Sequence, residues 1–333
     1  MKKFLPVAIL FCVTIVTLQV MAQQAEHPGV KLYRQGKNAE AIGLLSEAIK
    51  QNEFKSDATI WNFLGLAYLA VNDAKKSRKP FEQAVKLRPN NSIYHSNLAY
   101  AYLLFRQMGK ARSESKKAIE HDPKNVTAYY LQGSANLWEL KLNDAMYDAE
   151  QMVMIDPADP QGYILKSDIL VAELGQKVMK GSDVKDEIKY LKQAADALRV
   201  GVEKSSKSSN HKMVEDEFEA IGSFYDYFSK DRSTSTLLIS DAEPGVTPLK
   251  ILRKPRPGYT DSARSANVQG TIKIAVLFGA NGEVQQTLVL NRLGNGLDER
   301  AAAAARKIEF EPMTKDGKPV SVVKIVEYSF SIY

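Results

Sequence analysis

A proline recurs every 34 residues in the first half of this chain, at Pro89, Pro123 and Pro157, each behind a stretch of helical character. A period of this length constrains folding more than any single motif does. A unit of that size cannot bury its apolar face alone and must stack on its neighbours. With each proline taken as position 32, the first unit has Trp61 at 4, Leu64 at 7, Gly65 at 8, Tyr68 at 11, Ser77 at 20, Phe81 at 24 and Ala84 at 27. The second puts Leu98, Ala99, Tyr102, Ala111 and Ala118 at 7, 8, 11, 20 and 27. The third puts Tyr129, Gly133, Ala145, Ala149 and Met152 at 4, 8, 20, 24 and 27. Small residues recur where two helices would cross closely, and large ones where they would fill the space between. An earlier, worn unit places Gly36, Ala41, Leu45 and Ala48 at 15, 20, 24 and 27.

This pattern resembles the tetratricopeptide repeat, and it predicts about four helical hairpins over residues 23–159. The resemblance implies a concave groove lined by the first helix of each hairpin, and a groove of that kind binds protein. Its expected lining includes Tyr100, Leu103, Tyr130, Leu137 and Trp138. Family members that clamp a C-terminal carboxylate use Lys, Arg and Asn there. This lining is apolar and aromatic, which points to a peptide or helix held by apolar contacts. Trp61 at position 4 reads as core, whereas Trp138 reads equally well as core or as a ligand platform.

After Pro160 the repeat loses register while helicity persists. Ile188, Leu191, Ala195, Leu198 and Val202 form one apolar stripe, and Phe218, Ile221, Tyr225 and Phe228 form another, both at helical spacing. Residues 160–230 are therefore expected to cap the solenoid, with the polar stretch Glu203 to Lys212 as a solvated loop and 231–246 as a linker.

From Thr247 the period changes to two. Ile272, Ile274, Val276 and Phe278 alternate with Lys273, Ala275 and Leu277, Gly279 to Gly282 turns, and Val284 to Leu290 continues, which predicts a β-hairpin. Leu297 to Ile308 reads as an alanine-rich helix with Asp298 and Glu299 in its first turn. Lys315 to Lys318 gives a second turn, and Val320 to Ile332 a long strand. Pro255 to Tyr259, Gln269 to Ile272, Gly282 to Val284, Leu297-Asp298, Phe310 to Pro312 and Gly317 to Pro319 together resemble the C-terminal domain of TonB, the periplasmic protein that couples inner-membrane energy to outer-membrane receptors. Two departures stand out: Thr260 replaces the usual Pro, and Asn291-Arg292-Leu293-Gly294 replaces a common Ser-Ser-Gly. The resemblance implies an edge strand that accepts an extended receptor segment by β-augmentation. Val322, Lys324, Val326, Tyr328 and Phe330 are its candidate residues. The expected fold class is thus multidomain: an all-α tetratricopeptide solenoid followed by a small α+β TonB C-terminal-like domain over 247–333.

Residues 1–22 carry Lys2 and Lys3 before an apolar run ending Val20-Met21-Ala22, as in a Sec signal cleaved before Gln23. An uncleaved anchor is the alternative, and either reading puts the remainder outside the cytoplasm; the resemblance to TonB implies the periplasm or cell envelope of a Gram-negative-type bacterium. Membrane contact is then confined to that segment. The one cysteine, Cys12, lies inside it, so the mature chain offers no disulfide, zinc site or nucleophilic thiol. The four histidines are dispersed, no Ser/His/Asp set emerges, and the net charge of +6 is not organised into a basic helix face. No enzyme, cofactor, metal or nucleic-acid role is expected. The expected partners are proteins: outer-membrane receptor segments or another envelope protein at the last strand, and a peptide or helix in the groove. A transport component and a periplasmic scaffold without energy transduction are the two readings. The apolar run Phe4 to Ala22 holds no His or other ionisable group that a proton-driven partner could engage, and no Pro-rich spacer follows it.

Overall fold

Every 34 residues an Asp or Asn starts a helix: Asp57, Asn91, Asn125 and Asp159 each accept a backbone N–H of the first turn, at 2.8, 3.0, 3.0 and 2.9 Å. A side-chain oxygen there satisfies a donor that has no intrahelical partner. The computed structural model describes residues 26–182, 184–209, 211–229 and 244–332, so the expected signal segment and most of the expected linker lie outside the described residues. The helices follow as hairpins: α1 (Pro28–Arg34) with α2 (Asn38–Ala48), α3 (Ala58–Ala70) with α4 (Ala74–Leu87), α5 (Ser92–Leu104) with α6 (Met108–His121), and α7 (Val126–Trp138) with α8 (Leu142–Ile155). Asn125, in a glycosylation-like Asn-Val-Thr, is fully engaged: its amide also donates to Ser92 and Ser96.

The turn inside each hairpin repeats as well. Gly36, Asn72, Arg106 and Leu140 all have φ between 55° and 76°. In each the next N–H reaches back five residues, as in Gln107 to the Tyr102 carbonyl at 2.9 Å, which closes the helix C-terminus. Glycine and asparagine adopt this left-handed backbone readily. Arg106 and Leu140 do so against a penalty of about 1 kcal/mol each.

The chain divides into two compact units at Leu87/Arg88. In the first, Val30, Leu45, Ile60 and Leu64 form the core between α1, α2 and α3. Gly65 lets α3 approach Phe81 so closely that a Cβ would lie 2.5 Å from the ring.

The second unit opens with a buried polar pair in place of the large position-4 residue. His95 Nδ1 lies 2.6 Å from Glu114 Oε2 and Nε2 lies 2.7 Å from the Pro89 carbonyl. Both neighbours are acceptors, so only the doubly protonated ring satisfies both. Burial works to lower the His95 pKa, but Glu114 and Pro89 outweigh it and the net shift is upward. A histidine raised above its unfolded value stabilises the fold most below that unfolded value, and the contribution is lost as pH rises through the folded pKa. We therefore expect the wild-type melting temperature to fall by a few degrees, about 1 to 2 kcal/mol, from mildly acidic to mildly alkaline buffer. In His95→Phe this slope should flatten; an unchanged slope would contradict the assignment.

Beyond Asp159 come α9 (Pro160–Met179), α10 (Val184–Lys204) and α11 (His211–Ser229), so the stretch expected as a loop over Glu203 to Lys212 is helical at both of its ends. The C-terminal module follows: β1 (Val246–Thr247), β2 (Lys250–Arg253), α12 (Asp261–Ser265), β3 (Gly270–Phe278), β4 (Val284–Val289), α13 (Leu297–Ala305), β5 (Glu309–Glu311), β6 (Thr314–Lys315), β7 (Lys318–Pro319) and β8 (Val322–Phe330). Strand β1 thus takes up Val246, at the end of the expected linker. Asp316-Gly317, with φ of 50° and 76°, makes the tight β6–β7 turn. The main sheet is antiparallel in the order β4-β3-β8, with β8 paired to β3 from Gly270↔Phe330 to Phe278↔Val322.

Both faces of that sheet are covered. On one, Ile272, Ile274, Val276 and Phe278 join Val322, Val326 and Tyr328 under α13. On the other, Ala275, Leu277, Leu288, Leu290 and Val323 meet Leu174, Leu191, Leu198, Phe224 and Phe228 of α9, α10 and α11 in one continuous core. The two apolar stripes expected to cap the solenoid therefore form a second layer against the C-terminal sheet. Helix α9 serves both sides, since its Leu165 and Ile169 pack with Tyr129 and Met152 of the preceding hairpin.

Candidate protein-docking surfaces

Strand β8 pairs with β3 along nine residues, and no described strand pairs with its other side. The side chains of Val322, Val326, Tyr328 and Phe330 point into the core, and only Lys324 among the five candidates is partly exposed. What the edge presents is therefore backbone, together with the outward residues Glu327 and Ser329. Lys254 donates to the Glu327 carbonyl at 3.0 Å and sits 5.1 Å over the Tyr328 ring, while Tyr227 of α11 donates to the Ser321 carbonyl at 2.8 Å. A lysine on a sheet edge discourages indiscriminate pairing. Burial pushes the Tyr328 phenol up to about 12, and its hydroxyl has no partner among the described residues.

The groove residues divide. Leu103 and Leu137 are buried, whereas Tyr100 and Tyr130 stay exposed at 41% and 36%. Trp138 is in contact with the C-terminal module: a Cβ on Gly294 would lie 2.7 Å from its ring, so only glycine admits this approach. Arg106, on its strained turn, stacks over the Trp138 ring at 5.1 Å and donates to the Leu293 carbonyl.

The loop 291–296 is held from every side. Asn291 accepts from Lys273 N at 2.7 Å and donates to the Thr271 carbonyl at 2.9 Å, extending the ladder beyond β4. Asp298, at the start of α13, accepts the N–H groups of Leu293 and Gly294 at 2.7 and 3.0 Å. Burial raises the Asp298 pKa against those two bonds and the charge of Arg292. From this frame Arg292 reaches Asp168 Oδ1 of α9 at 2.7 Å and Glu217 Oε1 of α11 at 2.5 Å. Burial raises the Asp168 carboxyl, with Arg292 acting the other way and Glu217 adding to the rise. Tyr130 belongs to the same neighbourhood, its phenol raised by burial and by the Asp168 charge. Sequence reasoning singled out Tyr100, Tyr130 and Trp138 and passed over Arg106, Asp168 and Glu217. It marked Arg292 only as a departure from a resembling family.

Comparison with known proteins agrees with both halves of the fold. Residues 29–92 match the tetratricopeptide repeat model, and residues 255–332 match the model of the Gram-negative bacterial TonB protein C-terminal domain. No curated protein matches the chain. Among solved structures, the crystal structure of MamA is 17% identical, covers 56% of this chain and 99% of its own, and has a TM-score of 0.45. MamA from Desulfovibrio magneticus RS-1 is 21% identical over 56% of this chain and 99% of its own, at 0.43. A thermophilic TPR protein of Thermus thermophilus is 17% identical over 58% of this chain and 94% of its own, at 0.44. The chain carries tetratricopeptide repeats followed by a TonB C-terminal-like domain, both of them non-catalytic protein-interaction folds.

Proposed function

We propose that this protein is a non-enzymatic adaptor of the Gram-negative cell envelope that docks an extended segment of a receptor or other envelope protein on β8, with the repeat groove recruiting a second protein. The observation that carries the reading is the one-sided pairing of β8. An unpaired strand edge offers a row of backbone donors and acceptors, which bind any extended segment of suitable shape. Work as a periplasmic scaffold is favoured over energy transduction. The sheet's second face is locked onto α9, α10 and α11, so the module is part of a larger body rather than a free domain on a long spacer.

Single cysteines at Glu327, Ser329 and Ser331, in a Cys12→Ser background, leave the core face untouched, since all three positions are exposed. Disulfides to cysteines placed along the periplasmic segments of outer-membrane receptors are expected at these alternate positions. Cysteines introduced on α2 are the negative control. Absence of crosslinks at all three sites with every receptor segment tested would overturn docking on this edge. Pull-down of a groove partner should be lost in Tyr100→Ala, whose side chain is exposed. Trp138 is left intact because it packs on Gly294.

A further inference from the structure

The groove already holds a ligand, and it belongs to this chain. At the end formed by α5, α7 and α9, the loop after β4 inserts a guanidinium between two carboxylates, gives a backbone carbonyl to Arg106, and lays a glycine flat on an indole. At the seat Asp168 and Glu217 share one cation. Beside it a cavity of about 180 Å³ remains open, bounded by Arg106, Trp138, Leu140, Ala172 and the loop itself.

We propose that this end of the groove is an arginine-reading site, occupied in cis by Arg292, and that a partner bearing an exposed Arg-apolar-Gly turn competes with the chain's own loop for it. This deepens the groove half of the proposed function and is independent of the β8 half. The chemistry is specific. One guanidinium nitrogen, Nη2 of Arg292, meets both carboxylates, so the two acidic side chains converge on a single donor. The following carbonyl must meet Arg106, and any side chain two positions after the arginine would strike Trp138. Competition sets the direction: whatever fills the seat in trans excludes the cis contact, and loss of the cis arginine strengthens trans binding by raising the fraction of seats that are empty. The sheet itself need not leave, because its apolar core with α9, α10 and α11 lies outside the loop.

The chain has two tryptophans, so in a Trp61→Phe background Trp138 reports on its own site. The probe is the acetylated and amidated tetrapeptide Asn-Arg-Leu-Gly, titrated into the full chain while Trp138 emission is recorded. Arg292→Ala is expected to bind it at least tenfold more tightly than the wild type, and Arg292→Gln, which keeps the bulk and a donor, to do likewise if the alanine variant folds poorly. Adding Asp168→Asn should abolish the gain. Equal affinity for wild type and both Arg292 variants, or binding indifferent to Asp168→Asn, would overturn the proposal. If partner capture is nevertheless lost in Tyr100→Ala, groove recruitment stands without arginine reading.

Discussion

Arg292→Ala is expected to destabilise the second unit by about 3 kcal/mol at mildly alkaline pH and by distinctly less near about pH 5. Deleting one partner of a buried charge cluster leaves the others desolvated and unpaired, which costs about 3 to 5 kcal/mol. The low end applies because Arg292, Asp168 and Glu217 retain 30%, 18% and 20% of their side-chain exposure. The pH dependence has a definite sign. In the wild type burial already raises Asp168, and the charge of Arg292 is what opposes that rise. Without the guanidinium the folded-state pKa moves higher still. A carboxyl raised in the folded state holds protons that the unfolded chain has released, so stability falls as pH climbs from the ordinary carboxylate range through the folded pKa. Urea unfolding at the two pH values, with Arg292→Ala/Asp168→Asn as the partial rescue, checks this. An equal loss at both values would mean that Arg292 matters through its packing alone.

The repeats were legible because each of their determinants is local. Gly65 beneath Phe81, the alanines at positions 20 and 27, and the Asp or Asn before each first helix follow from contacts inside one hairpin or with its neighbour. The β3–β4 hairpin and the Asp316-Gly317 turn were legible for the same reason. What escaped was the union of the C-terminal sheet with α9, α10 and α11. The stripes of α10 and α11 show that something covers them without saying what. Arg292 finds its carboxylates 124 and 75 residues away, a separation over which no periodicity carries information. One signal was present: from Ile274 to Phe278 the strand reads Ile-Ala-Val-Leu-Phe, a continuous apolar run that marks a strand buried on both faces rather than one. The linker-like composition of 231–246 suggested a tethered module, and composition there is silent about docking elsewhere in the chain.

That union includes one close backbone approach, and a matched pair of substitutions isolates it. Gly175, in α9, faces Leu290 just beyond β4 at a distance where a Cβ would lie 2.7 Å from the Leu290 carbonyl oxygen and 3.1 Å from its Cβ. The carbonyl belongs to backbone tied to Lys273 across the sheet, since Leu290 N donates to the Lys273 carbonyl at 2.9 Å, so it cannot swing aside as a flexible side chain would. Helix or sheet must move instead. Such overpacking costs about 1 to 3 kcal/mol, against the 1 kcal/mol or so that alanine gains over glycine inside a helix. Gly222, inside α11, has nothing within 4 Å of its would-be Cβ. Gly222→Ala should therefore raise stability by up to about 1 kcal/mol, while Gly175→Ala gains nothing and lowers it by up to about 2 kcal/mol after the helix gain is subtracted. Because the strain falls on the contact between α9 and the sheet, Gly175→Ala should also speed amide hydrogen exchange in β4 and in the loop 291–296, leaving α1 to α4 unchanged. Two alanine variants of similarly raised stability would mean that α9 and Leu290 are not pressed together in solution.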